Sequence, residues 1–329
     1  MKAILTEGFG DEGVLRIVDR PQPDLIAGGV RIAATAAGLN RADLLQRRGL
    51  YPPPPGASDV LGLECGGTVA ELAPGVDDLT VGERVMALVA GGGQAESVIA
   101  PRGSVMAVPS HFDDLEAGGF PEVFLTAHLN LFELGGLSPD ATALVHGGSG
   151  GVGTAAIQLI KETGAQVLVT AGSAERCRRC LDLGADVAVD YRADDFVDAA
   201  MQLTRGCGVD LVLDCIGAPY LDRHLDVLAL DGRLLVIGLM GGAKAELDMR
   251  RLLSRRIRII GSTLRALSPN RKAELVRSFL TRFGDRLAAG RLRPIIDSVF
   301  SIAAVADAHR RLGSGEAFGK VVLDIASTR

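Results

Sequence analysis

No uninterrupted apolar run in this 329-residue chain approaches the roughly 20 residues of a membrane-spanning helix. The first seven residues place only Ala3, Ile4 and Leu5 before a polar residue and an acid, too little for a signal-peptide core, so a cytoplasmic location is expected. Cysteine is scarce. Cys65, Cys177, Cys180, Cys207 and Cys215 make no disulfide framework in a chain this long, and their odd number fits a reducing compartment. An excess of positive charge is missing too: the formal net charge of -5 opposes a general nucleic-acid or anionic-membrane partner, and neither is expected. Tryptophan is absent, whereas glycine occurs 42 times, which implies many tight turns and close backbone approaches, as in α/β nucleotide binders. The composition, 47% hydrophobic and 23% charged, is that of a folded globular protein and excludes disorder, collagen and coiled coil. At roughly 150 residues per domain, the length implies two domains.

Up to about residue 118 the chain reads as short β runs, such as 30–34, 67–72 and 83–89, punctuated by glycine and proline, the pattern of a partly open β-barrel. One helical stretch, 40–48, interrupts it and leads into Tyr51-Pro52-Pro53-Pro54-Pro55-Gly56. Four prolines without backbone donors make that segment a stiff extended loop that presents its residues. From about 121 the rhythm changes to strand and helix in alternation. Nearly continuous apolar runs at 142–146, 166–170, 187–189, 210–214, 233–237 and 257–260 predict a parallel sheet buried on both faces, with helices such as 152–163 between them. The last part predicts a basic helix over 271–293 and a closing strand over 320–325. The fold class is therefore α/β, a doubly wound Rossmann sheet with a β-rich domain, divided as 1–120, 121–263 and a C-terminal segment 264–329.

After the first Rossmann strand comes G-x-G-x-x-G at Gly148, Gly150 and Gly153, between a predicted strand and helix, which is the context a dinucleotide fingerprint requires. The glycines allow the tight turn and the close approach of a pyrophosphate to free helix amides. The tip of the second strand then selects the cofactor. An NAD site places an acid there, whereas this chain has small residues followed by Ser173 and Arg176, a hydroxyl and a guanidinium suited to a 2'-phosphate. NADPH is the expected cofactor.

These elements, with Leu39-Asn40-Arg41-Ala42-Asp43-Leu44, the loop 51–58, Gly62-Leu63-Glu64, Gly91-Gly92-Gly93-Gln94-Ala95, the stretch 150–159, Leu213-Asp214-Cys215-Ile216-Gly217 and Gly238-Leu239-Met240-Gly241-Gly242, resemble the medium-chain dehydrogenase/reductase superfamily along essentially the whole chain. Within it the sequence is similar to the zeta-crystallin-like quinone oxidoreductases, especially their tumour-suppressor-inducible branch. The resemblance implies a GroES-like catalytic domain built from both chain ends, a Rossmann domain and a homodimer that continues its sheet through 257–263. It also implies cofactor contacts from Thr126, Gly151, Val152, Tyr191, Cys215, Gly238, Met240, Arg265 and Lys320. In that branch a serine stands where this chain has Gly150, so a serine-assisted step is not available here.

Zinc-dependent relatives bind their metal through a cysteine, a Gly-His-Glu and a second cysteine; the matching places here hold Asn40, Leu63 and the Pro121-Glu122 region, so no metal is expected. The five histidines have no partners at metal spacing in the sequence, and Cys177-x-x-Cys180 reads as small buried side chains on one helical face. Without a Lewis acid, the acceptor should already be electrophilic: a quinone, or alternatively a carbon-carbon double bond conjugated to a carbonyl. Tyr51 on its proline loop is the candidate donor to the acceptor oxygen, and Asn40 a second. The expected function is a zinc-independent NADPH:quinone reductase, with an enone or alkenal reductase and a non-catalytic NADPH-binding protein as the alternatives.

Overall fold

The computed structural model describes residues 1–328, which form two compact units. One joins Met1–Leu125 to the segment from Leu264 onward, and the other is Thr126–Thr263. The first unit runs to Leu125 and does not stop at 120, because the helix Pro121–His128 begins inside its aromatic core: Phe124 stacks on Phe120 at 4.0 Å and packs edge-on against Phe279.

The first unit is built on a seven-stranded sheet in which Ile296–Ser301, Lys320–Asp324, Gly29–Gly38, Glu64–Leu72, Arg84–Leu88 and Val105–Ala107 lie in that order, with Ser97–Pro101 paired to Gly29–Gly38. The pairings are antiparallel except for the first. Val30, Ile32 and Ala34 alternate inward against Val69, Val85 and Val98, the period-two burial that fixes register. Two register shifts between Gly29–Gly38 and Glu64–Leu72 bend the sheet toward the open GroES-like barrel. Gly38 is required at its place, since a Cβ there would lie 2.3 Å from Glu64 Oε1. The basic helix is Pro269–Ala288, shorter than the expected 271–293, because the chain turns at Gly290 with φ +75 and leaves Arg293 outside the helix.

The second unit is a six-stranded parallel sheet. Its strands lie in the order Val187–Asp190, Gln166–Ala171, Thr142–His146, Val209–Asp214, Leu228–Val236 and Arg258–Gly261, the doubly wound Rossmann order. The order reverses beside Thr142–His146, so the crevice at the carboxyl end of that strand is where the fold receives a ligand. The helix Gly151–Thr163 buries Ala155, Ala156, Leu159 and Ile160 and ends at Gly164 in the left-handed conformation. Among the described residues no helix is long and apolar enough to cross a membrane.

Candidate functional site

In the second unit the loop after His146 shows why its glycines are spaced as they are. Gly147 has φ +70; a Cβ on Gly148 would lie 2.6 Å from the Val169 side chain, and one on Gly153 would lie 2.2 Å from the Gly147 carbonyl oxygen. Both positions therefore exclude any larger residue. Gly150 differs, since a Cβ there would meet only the Gly147 oxygen at 3.4 Å, an ordinary contact. It precedes Gly151 and Val152, the first residues of a thirteen-residue helix whose amino end offers unpaired amides to an anion. At the neighbouring strand tip, Ser173 caps the helix Ala174–Asp182 by accepting the Arg176 N–H at 3.3 Å, which leaves its own hydroxyl proton for another acceptor. No ion pair engages the half-buried Arg176 guanidinium among the described residues. The Tyr191 hydroxyl stands over Gly172, 3.0 Å from where a Cβ would be, and the residue is 45% exposed. Cys215, whose thiol lies 3.5 Å from the His146 carbonyl, and Gly238, packed against Cys215, flank the same crevice; Met240 beyond them is exposed. Thr126 accepts a hydrogen bond from Asn130 through its carbonyl. The loop, the capped helix and the uncommitted guanidinium fit a 2'-phosphorylated dinucleotide.

The first unit contains a buried ionic cluster. Lys320 Nζ donates to the Leu39 carbonyl at 2.8 Å, to Asn40 Oδ1 at 2.7 Å and to Glu64 Oε1 at 2.7 Å, so all three of its protons have acceptors. Asn40 Nδ2 donates to Glu64 Oε1 at 2.9 Å, and Glu64 Oε2 accepts the Glu122 N–H at 2.8 Å. Asp43 accepts the N–H groups of Asn40 and Gly62; burial raises its carboxyl to about 6 despite them. Arg265, 3% exposed, donates to the carbonyls of Ala90 and Tyr51 and to Gln46 Oε1, and its guanidinium lies 5.4 Å from the centre of the Tyr51 ring. Lys272 donates to the Arg265 carbonyl, and burial lowers its pKa. Glu122 is pushed up to about 8, first by burial and then by the charge of Glu64, with Lys320 and Lys272 opposing. Burial, followed by Glu122, also raises the Tyr51 phenol. Among the described residues no hydrogen bond engages the Tyr51 hydroxyl.

Three of the expected site residues lie in this cluster. Asn40 is not a donor left over for an acceptor, because its amide links Lys320 to Glu64. Lys320, expected among the cofactor contacts, places its three ammonium protons within this cluster, and Arg265 gives three of its five N–H groups to Ala90, Tyr51 and Gln46. Each is a built part of the first unit.

Residues 27–134 match the alcohol dehydrogenase GroES-like domain, and residues 151–281 match the zinc-binding dehydrogenase domain. A mycobacterial protein solved with NADPH, Rv1454c, is 32% identical, covers 99% of this chain and 100% of its own, and superimposes with a TM-score of 0.88. The chain belongs to the medium-chain dehydrogenase/reductase superfamily. Escherichia coli quinone oxidoreductase, solved with NADPH, is 25% identical with a TM-score of 0.87 over 99% of this chain and 100% of its own. The chain is also 36% identical over 310 residues to a phenolphthiocerol/phthiocerol polyketide synthase of Mycobacterium tuberculosis, and spans 14% of that much longer protein. This superfamily member fits the zinc-free quinone oxidoreductase branch. A catalytic zinc does not fit its residues: Leu63 offers no donor atom, and the Lys320 ammonium already bridges Asn40 and Glu64.

The histidines include one surprise. His146 and His224, 78 residues apart, share a hydrogen bond of 2.9 Å between their Nε2 atoms, and His224 Nδ1 lies 3.9 Å from Asp214 Oδ2. Among the described residues these three form the one cluster with the composition of a metal site, which the sequence spacing does not show. The short nitrogen-nitrogen contact is that of a hydrogen-bonded pair, and the Asp214 oxygens already accept the Ile216 and Gly217 N–H groups. Burial holds both imidazoles neutral, well below their ordinary range. His146 Nδ1 meets Thr170 Oγ1 at 2.9 Å, so the chain of contacts ties three strand tips together beneath the glycine loop. Cys177 and Cys180 are buried in the helix Ala174–Asp182 with both thiols shifted upward, mainly by burial, opposite to what a redox pair needs.

Proposed function

We propose that this protein is an NADPH:quinone reductase that works without zinc. The observation that carries the reading is the Lys320 ammonium held by Leu39, Asn40 and Glu64, a fixed internal cation where zinc-dependent relatives keep a metal. An ammonium with every proton engaged does not bind and polarise a simple ketone, so the acceptor must bring its own electrophilicity. NADPH, when bound, supplies a hydride. Gly148, Gly150, Gly151, Val152 and Gly153 would receive its pyrophosphate; Ser173, Arg176 and Tyr191 would surround its 2'-phosphate; Thr126, Cys215, Gly238 and Met240 would complete the site. The Tyr51 hydroxyl, unbonded and kept protonated, would donate to the oxygen on which charge develops. The same proton supply favours a second reading, reduction of a conjugated double bond, because a weaker electrophile depends more on it.

We further propose a cytoplasmic homodimer in which the edge strand Arg258–Gly261 pairs with its two-fold mate. That strand pairs with Leu228–Val236 on one side only, and Ile259 is 39% exposed.

Steady-state NADPH oxidation with a naphthoquinone, before and after exhaustive chelation, tests the function. Equal turnover in both states is expected, and Tyr51→Phe should lower kcat by less than the 2.7–4 kcal/mol or so of a dedicated oxyanion-hole donor, with little change in NADPH affinity. Absence of turnover, or activity lost on chelation and restored by zinc, refutes the proposal.

A further inference from the structure

A neutral imidazole donates through one nitrogen and accepts through the other, so the paired rings beneath the glycine loop have a direction. The two ends of the chain fix it independently. At one end Thr170 Oγ1 accepts the Gly147 N–H at 3.4 Å and meets His146 Nδ1 at 2.9 Å, with no third partner among the described residues. Thr170 is buried, so its hydroxyl proton goes to His146 Nδ1 and not to water. His146 then carries its own proton on Nε2 and donates it to His224 Nε2 at 2.9 Å. At the other end this leaves the His224 proton on Nδ1, 3.9 Å from Asp214 Oδ2. Burial raises Asp214 only to about 6, so it faces that proton as a carboxylate at pH 7. The reverse direction would turn a nitrogen lone pair toward the carboxylate and leave the threonine proton without an acceptor.

We propose that His224 is a positioning residue of the dinucleotide site: through His146 and Thr170 it holds the start of the glycine loop in the shape that receives the pyrophosphate. This role rests on the placement of NADPH over that loop. Thr170 is the point of attachment, since its hydroxyl accepts the Gly147 N–H and its carbonyl accepts the Gly148 N–H at 2.9 Å. His224 acts from two side chains away, on the helix Leu221–Val227. Through Asp214 the same chain reaches the turn that carries Cys215, because Asp214 accepts the Ile216 N–H at 2.7 Å and the Gly217 N–H at 3.0 Å. The two sides of the crevice therefore share one polar support. Removing the acceptor at His224 leaves the His146 Nε2 proton unpaired in a buried site; moving that proton to Nδ1 strands the threonine proton instead. Either way the loop loses a fixed anchor.

Isothermal titration with NADPH and with NADH tests the role. His224→Phe should weaken both cofactors by the same factor, about tenfold, because the pyrophosphate is common to them. His224→Gln, whose Oε1 stands where Nε2 stood, should return both affinities to within about threefold of the wild type. Thr170→Val breaks the chain at its other end and should lose as much, and joining it to His224→Phe should add less than the sum of the single losses. Nitrogen-15 spectra of the histidine-labelled wild type read the direction without any substitution: at pH 7 the proton should sit on Nε2 of His146 and on Nδ1 of His224. The opposite tautomers overturn the role, as does a folded His224→Phe protein with wild-type affinities, a loss confined to NADPH, or a Gln variant as weak as the Phe one. A wild type that binds neither dinucleotide overturns the placement of NADPH, and the role of His224 with it.

Discussion

Replacing Lys320 by methionine keeps the length of the side chain and removes its charge. Lys320 is 3% exposed and its partner Glu64 is fully buried, so water cannot take the place of the ammonium cheaply. After the substitution Glu64 Oε1 keeps only the Asn40 amide, Asn40 Oδ1 and the Leu39 carbonyl lose their donor, and one carboxylate remains buried without its counter-charge. Breaking a buried ion pair in this one-sided way costs about 3–5 kcal/mol, against about 0–1 for an exposed pair such as Arg256 with Asp231. For a unit of this size each kcal/mol shifts Tm by about 2–4 °C, so Lys320→Met should lower the first unit's Tm by roughly 6–20 °C. Adding Glu64→Gln removes the stranded charge and should recover more than half of the loss. With no tryptophan in the chain, the melts are followed by circular dichroism and calorimetry. A Lys320→Met protein within about 1 kcal/mol of the wild type, or a double variant as unstable as the sum of the singles, would mean that the ammonium does not neutralise Glu64 in the folded chain.

Arg176→Ala should weaken NADPH binding by about tenfold or more and leave NADH nearly unchanged, because one charge-assisted contact to the 2'-phosphate is worth about 1.5–3 kcal/mol; equal losses for both cofactors in isothermal titration would remove Arg176 from the site. Ile259→Lys at the sheet edge should convert a dimer to monomers in sedimentation, and a wild type that is monomeric at micromolar concentration contradicts the edge pairing. His309 is fully buried with neither ring nitrogen bonded, and burial and then the Arg47 charge depress it to about 3. Its folded pKa lies below the unfolded 6.5, so its contribution is complete above pH 6.5 and is lost on acidification toward 3. In urea melts His309→Phe should therefore flatten the acid side of the stability curve by about 1.4 kcal/mol per pH unit over that range, and an identical slope counts against the assignment.

The glycine loop was legible in the sequence because its spacing is set by local contacts: Gly153 must clear the Gly147 oxygen six residues before it. The Rossmann strands were legible too, since burial on both faces writes a continuous apolar run. The proline loop could be read as a presenting segment, but the arginine that holds it, Arg265, lies 214 residues from Tyr51. The ionic cluster was not legible at all. Lys320 and Glu64 are 256 residues apart, and each alone looks like an ordinary surface charge until the sheet register brings them together. The same distance effect hid the imidazole pair, whose members lie 78 residues apart.

The strand Lys320–Asp324 lies between Ile296–Ser301 and Gly29–Gly38, with the sheet's other strands already behind it in the order of synthesis. A ribosome therefore releases the whole contiguous Rossmann unit before the segment that closes the first sheet. Until residue 320 emerges, Glu64 has no ammonium and the Asn40 amide no partner at Oδ1, so the Rossmann unit can fold before the ionic cluster of the first unit is complete. A protease that trims the final strand would remove Lys320 and strand the buried Glu64 carboxylate, while leaving the sequence of the Rossmann unit whole.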